Sequence, residues 1–79
     1  MRIDKYLKVS RLIKRRTVAN NACDIGRIAV NGKTVKASYD VKTGDEVEIT
    51  FGENTVKLRV LSLDEKTSKA DAPSMYEII

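Results

Sequence analysis

The chain has no histidine and no tryptophan, one cysteine, one proline and one phenylalanine among its 79 residues. Each scarcity excludes something. Without histidine there is no imidazole to serve as a general base or to complete a nucleophile triad. A single cysteine, Cys23, cannot form an intramolecular disulfide or a cysteine-based zinc site, and it fits a reducing compartment. In its alanine-rich segment it reads as a small buried apolar residue. No apolar run approaches the ~20 residues of a spanning helix, and the N-terminus lacks the apolar block of a secretory signal. The expected location is cytoplasmic, with no membrane partner. There is no glycine-rich phosphate loop. Asp45 sits in a turn, and Glu46 and Glu48 alternate with apolar residues on the wet face of a strand. No catalytic set emerges, so the expectation is a non-enzyme with no cofactor and no metal.

A chain this short forms one domain and hides only roughly 60% of the surface its unfolded form exposes, so its core is small. Hydrophobic periodicity divides it. Residues 2–12 read as a helix, with Ile3, Tyr6, Leu7 and Ser10 on one arc and Lys5, Lys8 and Arg11 opposite. Asp4 lies in the first turn, where its charge suits the helix dipole. Tyr6 falls within the apolar arc and reads as core. Thr17 is the expected N-cap of a second helix over 18–25, with Val18, Ala22 and Ile25 on one side and Gly26 as its left-handed stop. After Gly26 the period drops to about 2. Asn31-Gly32 between β-formers predicts a tight hairpin. EVEITF and TVKLRVLSL alternate as two further strands around Gly52-Glu53-Asn54. The predicted order is α-α-β-β-β-β. Residues 1–63 are expected to form the domain, and 64–79 a polar segment and C-terminal tail. The terminal MYEII fits either a strand or a short helix.

What is abundant is positive charge, unevenly placed. Residues 1–37 carry ten Lys or Arg against two acids, whereas residues 38–79 carry five against nine. Such asymmetry concentrates potential on one half of a small domain and favours a polyanion there. The cations form a basic helix, a basic link and a basic hairpin: Arg2, Lys5, Lys8, Arg11, Lys14, Arg15, Arg16, Arg27, Lys33 and Lys36. One amphipathic helix would be an ordinary solvated face. Three consecutive elements of one sign point to phosphates, because solubility alone is served with less repulsion by mixed signs. Arg15-Arg16-Thr17 also delivers cations to the start of the second helix, where free backbone N–H groups favour an anion.

The stretch from Arg2 to Lys36 resembles the αL RNA-binding motif of the S-four domain family. That family includes a small-subunit ribosomal protein, some pseudouridine synthases and the bacterial heat-shock RNA-binding protein. The resemblance rests on Arg2-Ile3-Asp4-Lys5, on Arg16-Thr17 with Ala19 and Ala22, on Gly26-Arg27-Ile28-Ala29-Val30-Asn31-Gly32, and on Val41-Lys42-Thr43-Gly44-Asp45-Glu46. It implies an α+β fold, with two N-terminal helices packed on a small, mostly antiparallel sheet of about four strands. KVSRLIKRRT, DVKTGDEVEITFG and Met75-Tyr76 bring the chain closer to stand-alone family members in ribosome-associated quality control. This further resemblance implies a monomeric factor on the large ribosomal subunit with an obstructed nascent chain. Its expected partners are large-subunit rRNA, peptidyl-tRNA and a tRNA-recruiting protein that carries out C-terminal Ala-tailing.

For RNA, Arg2, Lys5 and Arg16 are expected on phosphates at the helix junction, and Lys8, Lys14 and Thr17 are further RNA-binding candidates. Arg11 and Arg15 are candidates for backbone or stacking contacts. Arg27, Asn31 and Lys33 extend the surface onto the hairpin. Arg2 and Arg16 lie outside the apolar arc, so the sequence assigns them to binding and gives them no part in stability. Four other classes compete. A heat-shock-type ribosome-recycling protein shares the motif. An accessory domain of an RNA-modifying enzyme needs a catalytic domain for which the chain leaves no room. A helix-turn-helix DNA reader would have only Asn20, Asn21 and Asp24 to read bases. A membrane-active helix would need a wider apolar face.

Overall fold

The change of period at Gly26 marks the boundary between helices and sheet. The computed structural model describes residues 1–79. Helices α1 (Ile3–Val9) and α2 (Arg16–Asp24) precede strands β1 (Ile28–Val30), β2 (Lys33–Thr34), β3 (Glu46–Phe51) and β4 (Asn54–Val60). A 3-10 turn over Ala72–Met75 then leads into β5 (Tyr76–Ile78). The sheet order is β2-β1-β3-β4-β5, and every neighbouring pair is antiparallel.

The sheet thus has five strands where about four were expected. The added strand is Tyr76–Ile78, which pairs with β4 through Val60↔Tyr76 and Leu58↔Ile78. Just before it, Met75 is fully buried in the core. The Tyr6 hydroxyl, also buried, donates to the Met75 carbonyl at 2.8 Å, so α1 is stitched to the C-terminal segment. Burial, with the neighbouring Tyr76 adding to it, raises the Tyr6 pKa and keeps the phenol a neutral donor.

The core lies where the alternating strand residues meet the helices. Ile28, Val30, Val47, Ile49, Leu58 and Val60 project from the sheet onto Ile3, Tyr6, Leu7, Ala19 and Cys23. The registers Val30↔Val47 and Val47↔Leu58 place these residues side by side on one face.

Both helices differ from their predicted limits, for identifiable reasons. Helix α1 ends at Val9, with Ser10 as its C-cap. Arg11 adopts a left-handed φ of 64°, and its N–H bonds the Lys8 carbonyl at 3.1 Å. An arginine at positive φ is uncommon and carries no glycine-like signal, so the stop was not visible in the periodicity. Helix α2 begins at Arg16 with extended Arg15 as its N-cap, and no side chain caps it. Thr17, the predicted cap, is inside the first turn. The C-terminus matches expectation: Gly26 has φ 77°, Arg27 N–H bonds the Ala22 carbonyl at 2.9 Å, and Gly26 N–H bonds the Cys23 carbonyl at 3.1 Å. These two bonds form a Schellman closure.

The inward face of α2 also differs. Ala19 and Cys23 are buried, while Val18 and Ile25 are 53% and 58% exposed. The small residues at i and i+4 take the inward position and pack in one core with Ile3, Tyr6 and Leu7 of α1. The larger Val18 and Ile25 flank the contact and line an apolar groove with Leu12 and Phe51.

Candidate nucleic-acid interface

The junction of the two helices is organised around one buried carboxylate. Asp4 is 2% exposed, although its neighbours on the helix include lysines. Arg2 grips it with two bonds: Nε to Oδ1 and Nη2 to Oδ2, both 3.2 Å. Arg16 Nη2 donates to Oδ1 at 3.4 Å, and Asn20 Nδ2 to Oδ2 at 3.3 Å. The Lys5 backbone N–H completes the set at 2.8 Å. Burial alone would raise the Asp4 pKa. The hydrogen bonds from Asn20, Arg16 and Lys5 and the charge of Arg16 outweigh it, so the carboxyl sits below its ordinary value.

A folded pKa below the unfolded value of about 3.9 contributes stability at higher pH, and this is lost as pH falls from there through the folded pKa. Asp4→Asn should therefore show less acid destabilisation below about pH 4 than the parent. Thermal unfolding between pH 6 and pH 3 checks this, and identical acid slopes for the two proteins would refute it.

Asp4 consumes only part of each guanidinium. The Arg2 and Arg16 side chains are 49% and 46% exposed, so their remaining N–H groups face solvent. Two cations over one anion leave a surplus positive charge. Arg2, Asp4, Arg16, Thr17 and Asn20 line a concavity of about 400 Å³. The backbone on both sides of Arg2 is tied to residues 39–41. Ile3 N–H bonds the Tyr39 carbonyl at 2.8 Å, Val41 N–H bonds the Met1 carbonyl at 2.9 Å, and the N-terminal ammonium reaches Asp40 at 2.7 Å. That ammonium bonds and attracts the Asp40 carboxylate, which lowers its pKa.

The structure therefore brings Arg2, Arg16 and Thr17 together, and adds two residues whose roles here the periodicity did not reveal. The sequence marks Asp4 only as a partner of the helix dipole and Asn20 only as one of a thin DNA-reading set. The signal for Asp4 was present in retrospect: an acid two residues after one arginine and twelve before another. The expectation that Arg2 and Arg16 have no part in stability is corrected, since both compensate a buried charge.

The other predicted residues are distributed as follows. Lys5 pairs with Glu65 at 3.0 Å. Lys8, Arg11, Lys14 and Arg15 are exposed and make no ion pair within the chain. Arg27 lies on the apolar groove with Ile25 and Phe51. Lys33 is exposed on edge strand β2. Asn31 is engaged within the fold: its Nδ2 donates to Asp45 at 3.2 Å and its Oδ1 accepts from Glu46 N–H at 3.0 Å. It borders Glu46, Glu48 and Lys57, apart from the Arg2–Arg16 concavity. Cys23 is buried, and burial with the nearby Asp4 and Asp24 charges pushes its thiol up to about 11. No three of the His, Cys, Asp and Glu side chains are grouped to hold a metal. No helix is long and apolar enough to cross a membrane.

Two helices on an antiparallel sheet, with a basic helix junction gathered on one acid, define a small cationic α+β module. Residues 1–47 match the S4 domain family, and the chain belongs to that family. Relatives of similar length extend the match over the whole chain. The RQC P-site tRNA stabilizing factor of Streptococcus pneumoniae is 57% identical over 79 residues, covering 100% of this chain and 90% of that protein. The factor of the same name from Bacillus subtilis is 53% identical, covering 100% and 92%. Among solved structures, Heat Shock Protein 15 of Vibrio cholerae superposes with a TM-score of 0.91 at 24% identity, covering 100% of this chain and 81% of that one. That likeness establishes the shared fold.

Proposed function

We propose that this chain is a non-enzymatic RNA-binding factor of ribosome-associated quality control. In this reading it works in the cytoplasm as a monomer on a large ribosomal subunit carrying an obstructed nascent chain. It contacts large-subunit rRNA and the peptidyl-tRNA, and so supports Ala-tailing by a tRNA-recruiting partner. The observation that carries the reading is the Arg2–Asp4–Arg16 cluster. A buried carboxylate fixes two guanidiniums at the start of both helices and leaves their outer N–H groups free for phosphate. The names of the full-length relatives supply the ribosomal context. Recognition is of backbone and shape, so the protein alone should discriminate weakly between sequences.

The electrostatic basis is directly testable. With about four to six phosphate contacts, log affinity for RNA should fall linearly with log salt at roughly 0.7–0.9 units per contact. Fluorescence anisotropy over a salt series measures this. A flat response between low and physiological salt would remove the phosphate reading.

A further inference from the structure

Lys69 comes from the acidic half of the chain, yet the fold places it against the basic end of α1. Lys8, Arg11, Lys14 and Lys69 alone line a concavity of about 420 Å³. It shares no residue with the concavity of Arg2 and Arg16. We propose that these four residues form a second, independent phosphate-binding site that grips a separate segment of the RNA backbone. This rests on the RNA-binding reading and adds to it Lys69, which lies beyond the matched residues 1–47 that supply the other three cations.

Three observations converge. First, all four side chains are exposed, and none takes part in an ion pair within the chain. Four like charges around one hollow repel one another, and an anion relieves that repulsion.

Second, the acids nearest Lys69 in sequence are turned to other partners. Glu65 pairs with Lys5 at 3.0 Å. Asp71 accepts from the Ser68 hydroxyl at 3.0 Å, and Asp64 accepts from Lys66 N–H at 3.0 Å. The same bonds brace the segment. With Thr67 Oγ1 to the Asp64 carbonyl at 2.8 Å and Ser74 Oγ to the Asp71 carbonyl at 2.6 Å, Lys69 sits on a turn tied down on both sides.

Third, Arg11 occupies a left-handed backbone position, φ 64°, where glycine or asparagine would be more at ease. An outlier of this kind is a reason to look for function. Here the strained turn ends α1 and presents a guanidinium to the hollow between Lys8 and Lys14. Arg supplies planar bidentate donors and the three lysines supply compact charge, a combination suited to a phosphodiester.

The experiment compares Lys69→Glu with Lys66→Glu. Lys66 lies in the same segment, undergoes the same charge reversal, and does not line the concavity. Both residues are exposed, and matching circular dichroism spectra confirm that both variants fold. Binding of a fluorescein-labelled RNA hairpin is read by anisotropy over a salt series. Lys69→Glu should weaken binding about tenfold more than Lys66→Glu and lower the salt slope by about one further unit. Equal losses in the two variants would overturn the second site while leaving RNA binding intact. A parent protein that bound no RNA would overturn both readings. A parent that bound polyglutamate in place of RNA, with binding lost in Lys69→Glu, would assign the hollow to an acidic peptide and overturn the phosphate assignment.

Discussion

Replacing Arg2 and Arg16 together by alanine is expected to weaken RNA binding about a hundredfold or more. Each charge-assisted hydrogen bond to phosphate contributes roughly 1.5–3 kcal/mol, and about 1.4 kcal/mol is a factor of ten. A matched control is Lys57→Ala with Arg59→Ala. Those cations pair with Glu46 at 3.2 Å and Glu77 at 3.5 Å across the sheet, away from the helix junction. The control should stay with large subunits in a sucrose gradient, whereas the helix-junction variant should leave that fraction and fail to support Ala-tailing.

The same double variant should also lose stability, because Asp4 would keep only Asn20 and the Lys5 N–H as partners. Both guanidiniums are about half exposed, so solvent screening limits the loss to about 1–2 kcal/mol. For a domain of this size that corresponds to a fall in Tm of roughly 4–8 °C per kcal/mol. Adding Asp4→Asn removes the orphaned charge. The triple variant should recover most of the Tm and none of the binding. A double variant that binds RNA as well as the Lys57/Arg59 control would show that the helix junction is not the site.

The second large effect concerns the hairpin. Gly32→Val is expected to cost about 1–3 kcal/mol, a serious loss where a single small core supplies about 3–5 kcal/mol. Asn31 and Gly32 have φ of 52° and 86°, the pair of positive angles that a two-residue type I′ turn requires. Beyond its own and the adjacent residues, no atom lies within 4 Å of a Cβ at Gly32, so the penalty comes from the backbone and not from a tertiary clash. A β-branched side chain is a genuine outlier at such an angle, whereas asparagine tolerates it. Gly32→Asn should therefore melt close to the parent and Gly32→Val well below it. Equal melting of the two variants would mean that positive φ at this turn carries no energetic weight.

How much could be read in advance depends on the range of the interactions involved. Gly26, Asn31 and Gly32 act through their own backbone angles, so both the helix stop and the hairpin were legible from three residues. Alternation in EVEITF and TVKLRV is likewise local and yielded β3 and β4 directly. Val18 and Ile25 misled because periodicity identifies an apolar face without saying how close the partner helix comes. The small Ala19 and Cys23 took the inward position.

Composition and local pattern settled the α-α-β order, the excess of cations in the first half, and the lack of imidazole chemistry, since each is a property of single residues or near neighbours. Packing decided the rest. It brought Arg16 and Asn20 onto Asp4, twelve and sixteen residues apart in sequence, and turned a helix-dipole partner into a buried anchor. It drew Tyr76–Ile78 into the sheet beside Leu58 and Val60, and it set Lys69 against α1. Coulomb forces and hydrogen bonds act across space and not along the chain, so the partners of a charge became definite only once the helices and strands had met.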